Sequence, residues 1–140
     1  MQKPKFVARL VLVLSLVFSS QAFAADSIAE IIDRCSAAGT DDAKKTAATI
    51  AGKSPLALAV TLRSLRQAEP TLPETLKREF RVSLRSLLNP DMAEGIRAQV
   101  IDKDRNPAWR HTDHTAVTPA EVDAFFAPLP DGLELVINPA

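Results

Sequence analysis

Beyond residue 25 the apolar residues recur every three to four positions, the spacing of amphipathic helices. Ser27-Ile-Ala-Glu30 has the form of a capping box, followed by Ile28, Ile31, Ile32 and Cys35 on one side until Gly39 stops the helix. Thr40 caps a second helix, with Asp41 and Asp42 in its first turn and Ala43, Ala47, Ala48 and Ile50 as its apolar side; Gly52 ends it. Ser54-Pro55 opens a third, apolar all round from Leu56 to Val60, with Leu58, Leu62 and Leu65 continuing one stripe and Arg63 and Arg66 on the other side. Thr71-Leu-Pro-Glu74 begins the longest helix. Leu72, Leu76, Phe80, Leu84 and Leu87/Leu88 form its predicted buried stripe, and Lys77, Arg78, Arg81 and Arg85 lie opposite. Asn89-Pro90 breaks it, and a shorter helix from Asp91 is expected to turn Ile96, Val100 and Ile101 inward. Thr118-Pro-Ala-Glu121 starts a last helix carrying Val122, Phe125 and Phe126, and Leu133 to Ile137 alternates enough for one short C-terminal strand. The pattern predicts an all-α chain of five to six short helices with at most that one strand.

The first 24 residues read differently. Lys3 and Lys5 precede the apolar run Leu10 to Phe18, and Ala22-Phe23-Ala24 supplies small residues at cleavage spacing. This is the form of a secretory leader, and the run is too short to span a bilayer. The expected organisation is a signal-peptide-like leader over 1–24 and a helical region over 25–140. A used leader predicts a periplasmic or secreted protein.

Composition removes whole classes of chemistry. The chain has 140 residues, 17 basic and 17 acidic groups, four glycines and one cysteine. One cysteine excludes an intrachain disulfide or a multi-thiolate metal site. Dinucleotide, P-loop and esterase glycine motifs are absent. The leader holds Lys3, Lys5 and Arg9 and no acid, so the rest is slightly acidic and unsuited to nucleic acid.

The remaining candidates favour structural roles. His111, Asp113 and His114 lie on a polar loop, and two imidazoles and a carboxylate do not complete a zinc site. Cys35 has the setting of a packed structural thiol. Arg78, Arg81 and Arg85, with Arg63 and Arg66, form either a solvated face, supported by a Glu74–Arg78 pair, or an anion-binding patch. Trp109 reads as a packing anchor. Glu79 and Glu94 lack the partner and pocket that general acid–base work requires, and Glu74, Glu94 and Glu121 sit at capping positions. No residue is assigned a catalytic, cofactor-binding or metal-binding role, and no cofactor is expected.

An ordered series of segments nonetheless resembles a known family. Ser54-Pro55-Leu56-Ala57-Leu58, Glu79-Phe80-Arg81-Val82-Ser83, Asp91-Met92-Ala93-Glu94-Gly95-Ile96-Arg97-Ala98 and Ile101-Asp102-Lys103-Asp104-Arg105-Asn106-Pro107-Ala108-Trp109 follow in the order found in the C-terminal helical tail of the crotonase (enoyl-CoA hydratase/isomerase) superfamily. The segment 101–109 and Val117 to Phe126 resemble its 3-hydroxyisobutyryl-CoA hydrolase branch. The resemblance implies acyl-CoA thioester hydrolysis in valine catabolism, with acyl-CoA as ligand. It also implies that the reacting carboxylates and oxyanion donors lie in an α/β core absent from this sequence, so the chain alone is expected to be an inactive fragment. Glu79, Asp91, Glu94 and Gly95 match the tail and read as structural. The apolar stretch Leu56–Val60 is expected to meet such a core or a second copy of the chain. The family's chemistry points to the cytoplasm as the alternative location, and a small exported helical interaction module is the alternative function.

Overall fold

The computed structural model of the protein describes residues 26–67 and 69–137; the leader read over 1–24 lies outside them. Among the described residues there are six α-helices and no strand: α1 (Ile28–Ala37), α2 (Asp41–Ala51), α3 (Pro55–Arg66), α4 (Leu72–Leu88), α5 (Pro90–Ile96) and α6 (Pro119–Phe126). Arg97–Ile101 continues α5 as a π-helical turn. The all-α expectation holds. Leu133 to Ile137, expected as a short strand, has no regular structure and bends at Glu134. The chain divides into two compact units between Lys53 and Ser54.

The first unit is the hairpin of α1 and α2. The Ser27 hydroxyl accepts from the Glu30 N–H, and the Thr40 hydroxyl accepts from the Ala43 N–H. Each cap satisfies a donor that the first turn otherwise leaves unpaired. Gly39, at φ +75°, makes the left-handed turn between the helices. Ile28, Ala43 and Ala47 are buried, and small residues on α2 let the two backbones pack closely.

In the second unit, Leu56 and Val60 of α3 pack with Phe125 and Phe126 of α6, and Val82 of α4, Val117 and Val122 close the cluster. The expectation that Leu56–Val60 faces a missing partner is therefore corrected. Leu56 and Val60 are the centre of this unit's own core because α6 returns two phenylalanines to them. Thr118 caps α6 in a complete capping box: its hydroxyl accepts from the Glu121 N–H, and its own N–H donates to Glu121 Oε2.

α4 is oriented opposite to the sequence-based expectation. None of its described residues is buried. Leu72, Leu76, Phe80, Leu87 and Leu88 are exposed, Leu72 by 70% and Leu88 by 76%. The half-buried residues include Val82, Arg78, Arg81 and Arg85, with Leu84 as the one member of the predicted stripe among them. Ile96, Val100 and Ile101, expected inside, are also exposed. Here the period located the helix and its two faces, but hydrogen-bonding demand decided which face turns inward: three carbonyls at the end of α6 and the Glu134 carboxylate take the guanidinium groups.

Candidate functional site

The motif residues of the second unit converge on one polar scaffold. The Ser54 hydroxyl caps α3 by accepting from the Ala57 N–H, and it donates to Asp91 Oδ2 at 2.5 Å. Both residues are buried. Asp91 Oδ1 accepts from the Arg110 N–H at 2.9 Å. Asp91 thus ties the start of α3, the first turn of α5 and the loop after the π turn together. Asn89 caps α5 through the Asp91 N–H.

A second knot lies one turn further along. Glu94 accepts from Arg97 Nη2 and Nε at 2.8 and 2.9 Å and from the Ala108 N–H at 2.7 Å. Arg97 also donates to Asp102 Oδ2, Asp104 Oδ2 and the Asn106 carbonyl. The fork of one guanidinium therefore organises the whole 102–108 loop. In that loop Lys103 and Arg105 hold positive φ, 58° and 55°, a costly conformation for non-glycine residues that the Arg97 contacts maintain. The Arg97 hydrogen bonds and the Ala108 N–H push the Glu94 carboxyl down to about 2. The same arginine holds Asp104 below its ordinary value, and the carboxylates raise Arg97 in return.

Trp109 is seated over Gly95. A Cβ added at that glycine would lie 3.3 Å from the indole Cη2 and 3.5 Å from Cζ3. The helix-propensity penalty of a glycine is exchanged here for a close ring contact. His111 Nε2 lies 3.1 Å from Glu121 Oε1, joining the loop to α6. Asp113 accepts from the Thr115 N–H and hydroxyl, which hold it below its usual range. Among the described residues no group of three or more His, Cys, Asp or Glu is placed to hold a metal.

The arginine row forms internal contacts, which corrects the solvated-face reading. Arg78 donates to the Gln67 carbonyl and pairs with Glu69 and Glu79, so the expected Glu74–Arg78 pair is replaced; Glu74 instead accepts from the Thr71 hydroxyl. Arg81 takes Glu134, and Arg85 takes the carbonyls of Phe125, Ala127 and Pro128. Arg63 pairs with Asp123 and lies 4.5 Å over the Phe126 ring. Arg63, Arg78, Arg81 and Arg85 are in consequence already supplied with anions and carbonyls from their own unit, while Arg66 is exposed.

Chemically the scaffold binds and braces. A general acid or base works best with a pKa near the operating pH. Glu94, Asp104, Asp113, Glu121 and Glu134 are all pushed the other way, down, by amide N–H groups, hydroxyls or arginines. Sequence reasoning placed Glu121 and Glu94 at capping positions; Glu121 completes the Thr118 box, whereas α5 is capped by Asn89 and Glu94 instead takes Arg97 and the Ala108 N–H. That reasoning missed the Ser54–Asp91 bond, which spans 37 residues and leaves no trace in local spacing.

Ser54, Asp91, Glu94 and Arg97 thus brace a helical scaffold in which Trp109 is seated on Gly95. A family model, described as enoyl-CoA hydratase/isomerase, matches residues 17–126, and the chain belongs to that family. The chain is 35% identical over 108 residues to the mitochondrial 3-hydroxyisobutyryl-CoA hydrolase of Bos taurus, covering 76% of this chain and 28% of that protein. It is 34% identical over 116 residues to the protein of that name from Dictyostelium discoideum, covering 81% and 30%. Among solved structures it is similar to a carnitinyl-CoA dehydratase from Mycobacterium thermoresistibile, with TM-score 0.73 and 37% identity over 95% of this chain and 37% of that one. It is also similar to an enoyl-CoA hydratase from Rhodobacter sphaeroides, with TM-score 0.74 and 37% identity over 98% and 40%. The chain spans under a third of the length of these curated relatives.

These relatives correct the expected location. They are named as mitochondrial enzymes, which does not suggest a periplasmic or secreted protein. The family match also begins at residue 17, inside the segment read as a leader. Among the described residues no helix is long and apolar enough to cross a membrane.

Proposed function

We propose that this chain is the C-terminal helical part of a 3-hydroxyisobutyryl-CoA hydrolase-type fold, and that it serves acyl-CoA thioester hydrolysis as a scaffold without supplying the reacting groups. The observation that carries this reading is the state of its carboxylates. Asp91, Glu94 and Glu121, which stand in the segments that resemble the family, are committed to backbone N–H groups, a serine hydroxyl or arginine. None is left to move a proton to or from substrate. The exposed apolar stripe of α4, with Ile96, Val100 and Ile101, fits a surface that packs against the α/β part of such a fold.

The test is a thiol-release assay. Purified chain is mixed with 3-hydroxyisobutyryl-CoA and a thiol reagent, and free coenzyme A is followed. No turnover above the buffer rate is expected. Turnover that disappears with Glu94→Gln, in protein whose fold is unchanged, would overturn the scaffold assignment.

A further inference from the structure

The segment after α6, residues 127–137, has no regular structure. Leu129 is buried and Leu135 and Ile137 are half-buried, but Leu133 and Val136 are exposed by 54% and 78%. Charge adds a set of directed contacts. Arg81 Nε donates to both Glu134 carboxylate oxygens at 2.9 and 3.1 Å, and the Leu129 N–H donates to Glu134 Oε1 at 2.6 Å. Arg85 donates to the carbonyls of Phe125, Ala127 and Pro128 at 3.2, 2.5 and 2.9 Å. Gly132, at φ +83°, supplies the turn that brings Glu134 back beside Leu129, and the Leu133 N–H closes it on the Pro130 carbonyl.

We propose that residues 127–137 form a strap, held on the arginine face of α4 chiefly by the Glu134 charge, that opens locally while the helices stay folded. The two cations facing Glu134 are Arg81 and Arg85, both from α4. Glu134 is about a third exposed, so the pair is open to ionic screening. By contrast, the core beneath is apolar and insensitive to salt: Leu56, Val60, Phe125 and Phe126. Opening leaves Arg81 without its carboxylate, and the strap works as an internal anion that occupies a basic face. Acid acts in the same direction as salt, because protonating Glu134 removes the charge that Arg81 holds.

Amide hydrogen exchange resolved by peptide tests this. Exchange is compared at about 0.1 M and about 1 M sodium chloride, where the Debye length falls from about 10 Å to about 3 Å. In the unaltered protein the Leu129 and Leu133 amides are expected to exchange about two- to tenfold faster at the higher salt, with α3 unchanged. Glu134→Gln keeps the shape and removes the charge. It should give the faster rate at low salt and abolish the salt dependence. Leu129→Ala separates apolar from ionic anchorage and should retain the salt dependence. Salt-independent exchange in the unaltered protein would overturn the proposal. So would equal acceleration of α3 by Glu134→Gln, or release by Leu129→Ala with no effect of Glu134→Gln.

Discussion

Replacing Asp91 tests whether the polar scaffold holds the second unit together. In the folded chain its carboxylate accepts from the Ser54 hydroxyl and the Arg110 N–H, and the residue is 8% exposed. Hydrogen bonds to a charged group contribute roughly 1.5–3 kcal/mol each, and a buried donor left unpaired costs about 1–3 kcal/mol. Asp91→Ala removes both acceptors at once and should cost about 3–5 kcal/mol, a large part of the 5–15 kcal/mol typical of a domain. Asp91→Asn is different. Its carbonyl oxygen can still accept from the Arg110 N–H, and its amide can donate to Ser54 Oγ, which has a second lone pair beside the one used by the Ala57 N–H. That variant should lose only about 1–2 kcal/mol, the difference between charged and neutral bonds. Ser54→Ala, which also removes the α3 cap, should fall between them. The assay is urea unfolding followed by the fluorescence of Trp109, the single tryptophan of the chain, which lies in the same unit. Equal losses for Asp91→Asn and Asp91→Ala, or a loss under about 1 kcal/mol for the alanine variant, would refute the account of Asp91 as a buried double acceptor.

Three further outcomes follow from the packing and the shifted carboxylates. Leu56→Ala, at 2% exposure in the α3–α6 core, should cost about 2–5 kcal/mol in the same unfolding assay. Gly95→Val should displace the indole that a Cβ already crowds at 3.3 Å, shifting the Trp109 emission to longer wavelength, while Gly95→Ala should be close to neutral because the helix gain of about 1 kcal/mol offsets the tight contact. Glu94, Asp104, Glu121 and Glu134 are held below their ordinary values in the fold, so their contribution is complete above the ordinary carboxylate range and is lost as pH falls through each lowered value, which for Glu94 is about 2. Thermal midpoints measured across that range should decline with acid, and Glu94→Gln should flatten the decline; a flat profile in the unaltered protein would show these bonds to be absent in solution.

Much of the fold was legible because capping chemistry is local. Ser27, Thr40, Ser54, Thr71 and Thr118 each begin a helix where the sequence placed one, since a hydroxyl three residues before an N–H fixes a start without reference to the rest of the chain. Facing was less legible. The period of α4 separates leucines from arginines but says nothing of which side meets the molecule, and the answer depended on carbonyls at Phe125, Ala127 and Pro128, about forty residues away in sequence. For the same reason Asp91 looked like a helix-starting acid in sequence, and its partnership with Ser54 emerged only in three dimensions. The family segments were readable as an ordered string, yet what each residue does was set by the loop that returns over α5.

The π turn at Arg97–Ile101 fixes the length of that return. The Asp102 N–H reaches back five residues to the Arg97 carbonyl at 2.8 Å, so the backbone here accommodates one residue more per ring than the helix before it. Inserting one further residue between 98 and 101 in ordinary helical geometry would swing whatever follows by about 100° around its axis. Asp102 and Asp104 would then leave the guanidinium, and the tryptophan would lose its glycine seat. The chain therefore has a counted stretch in which added length matters more than composition, and insertions there should be tolerated far less well than changes of side chain at exposed Val100 or Ile101.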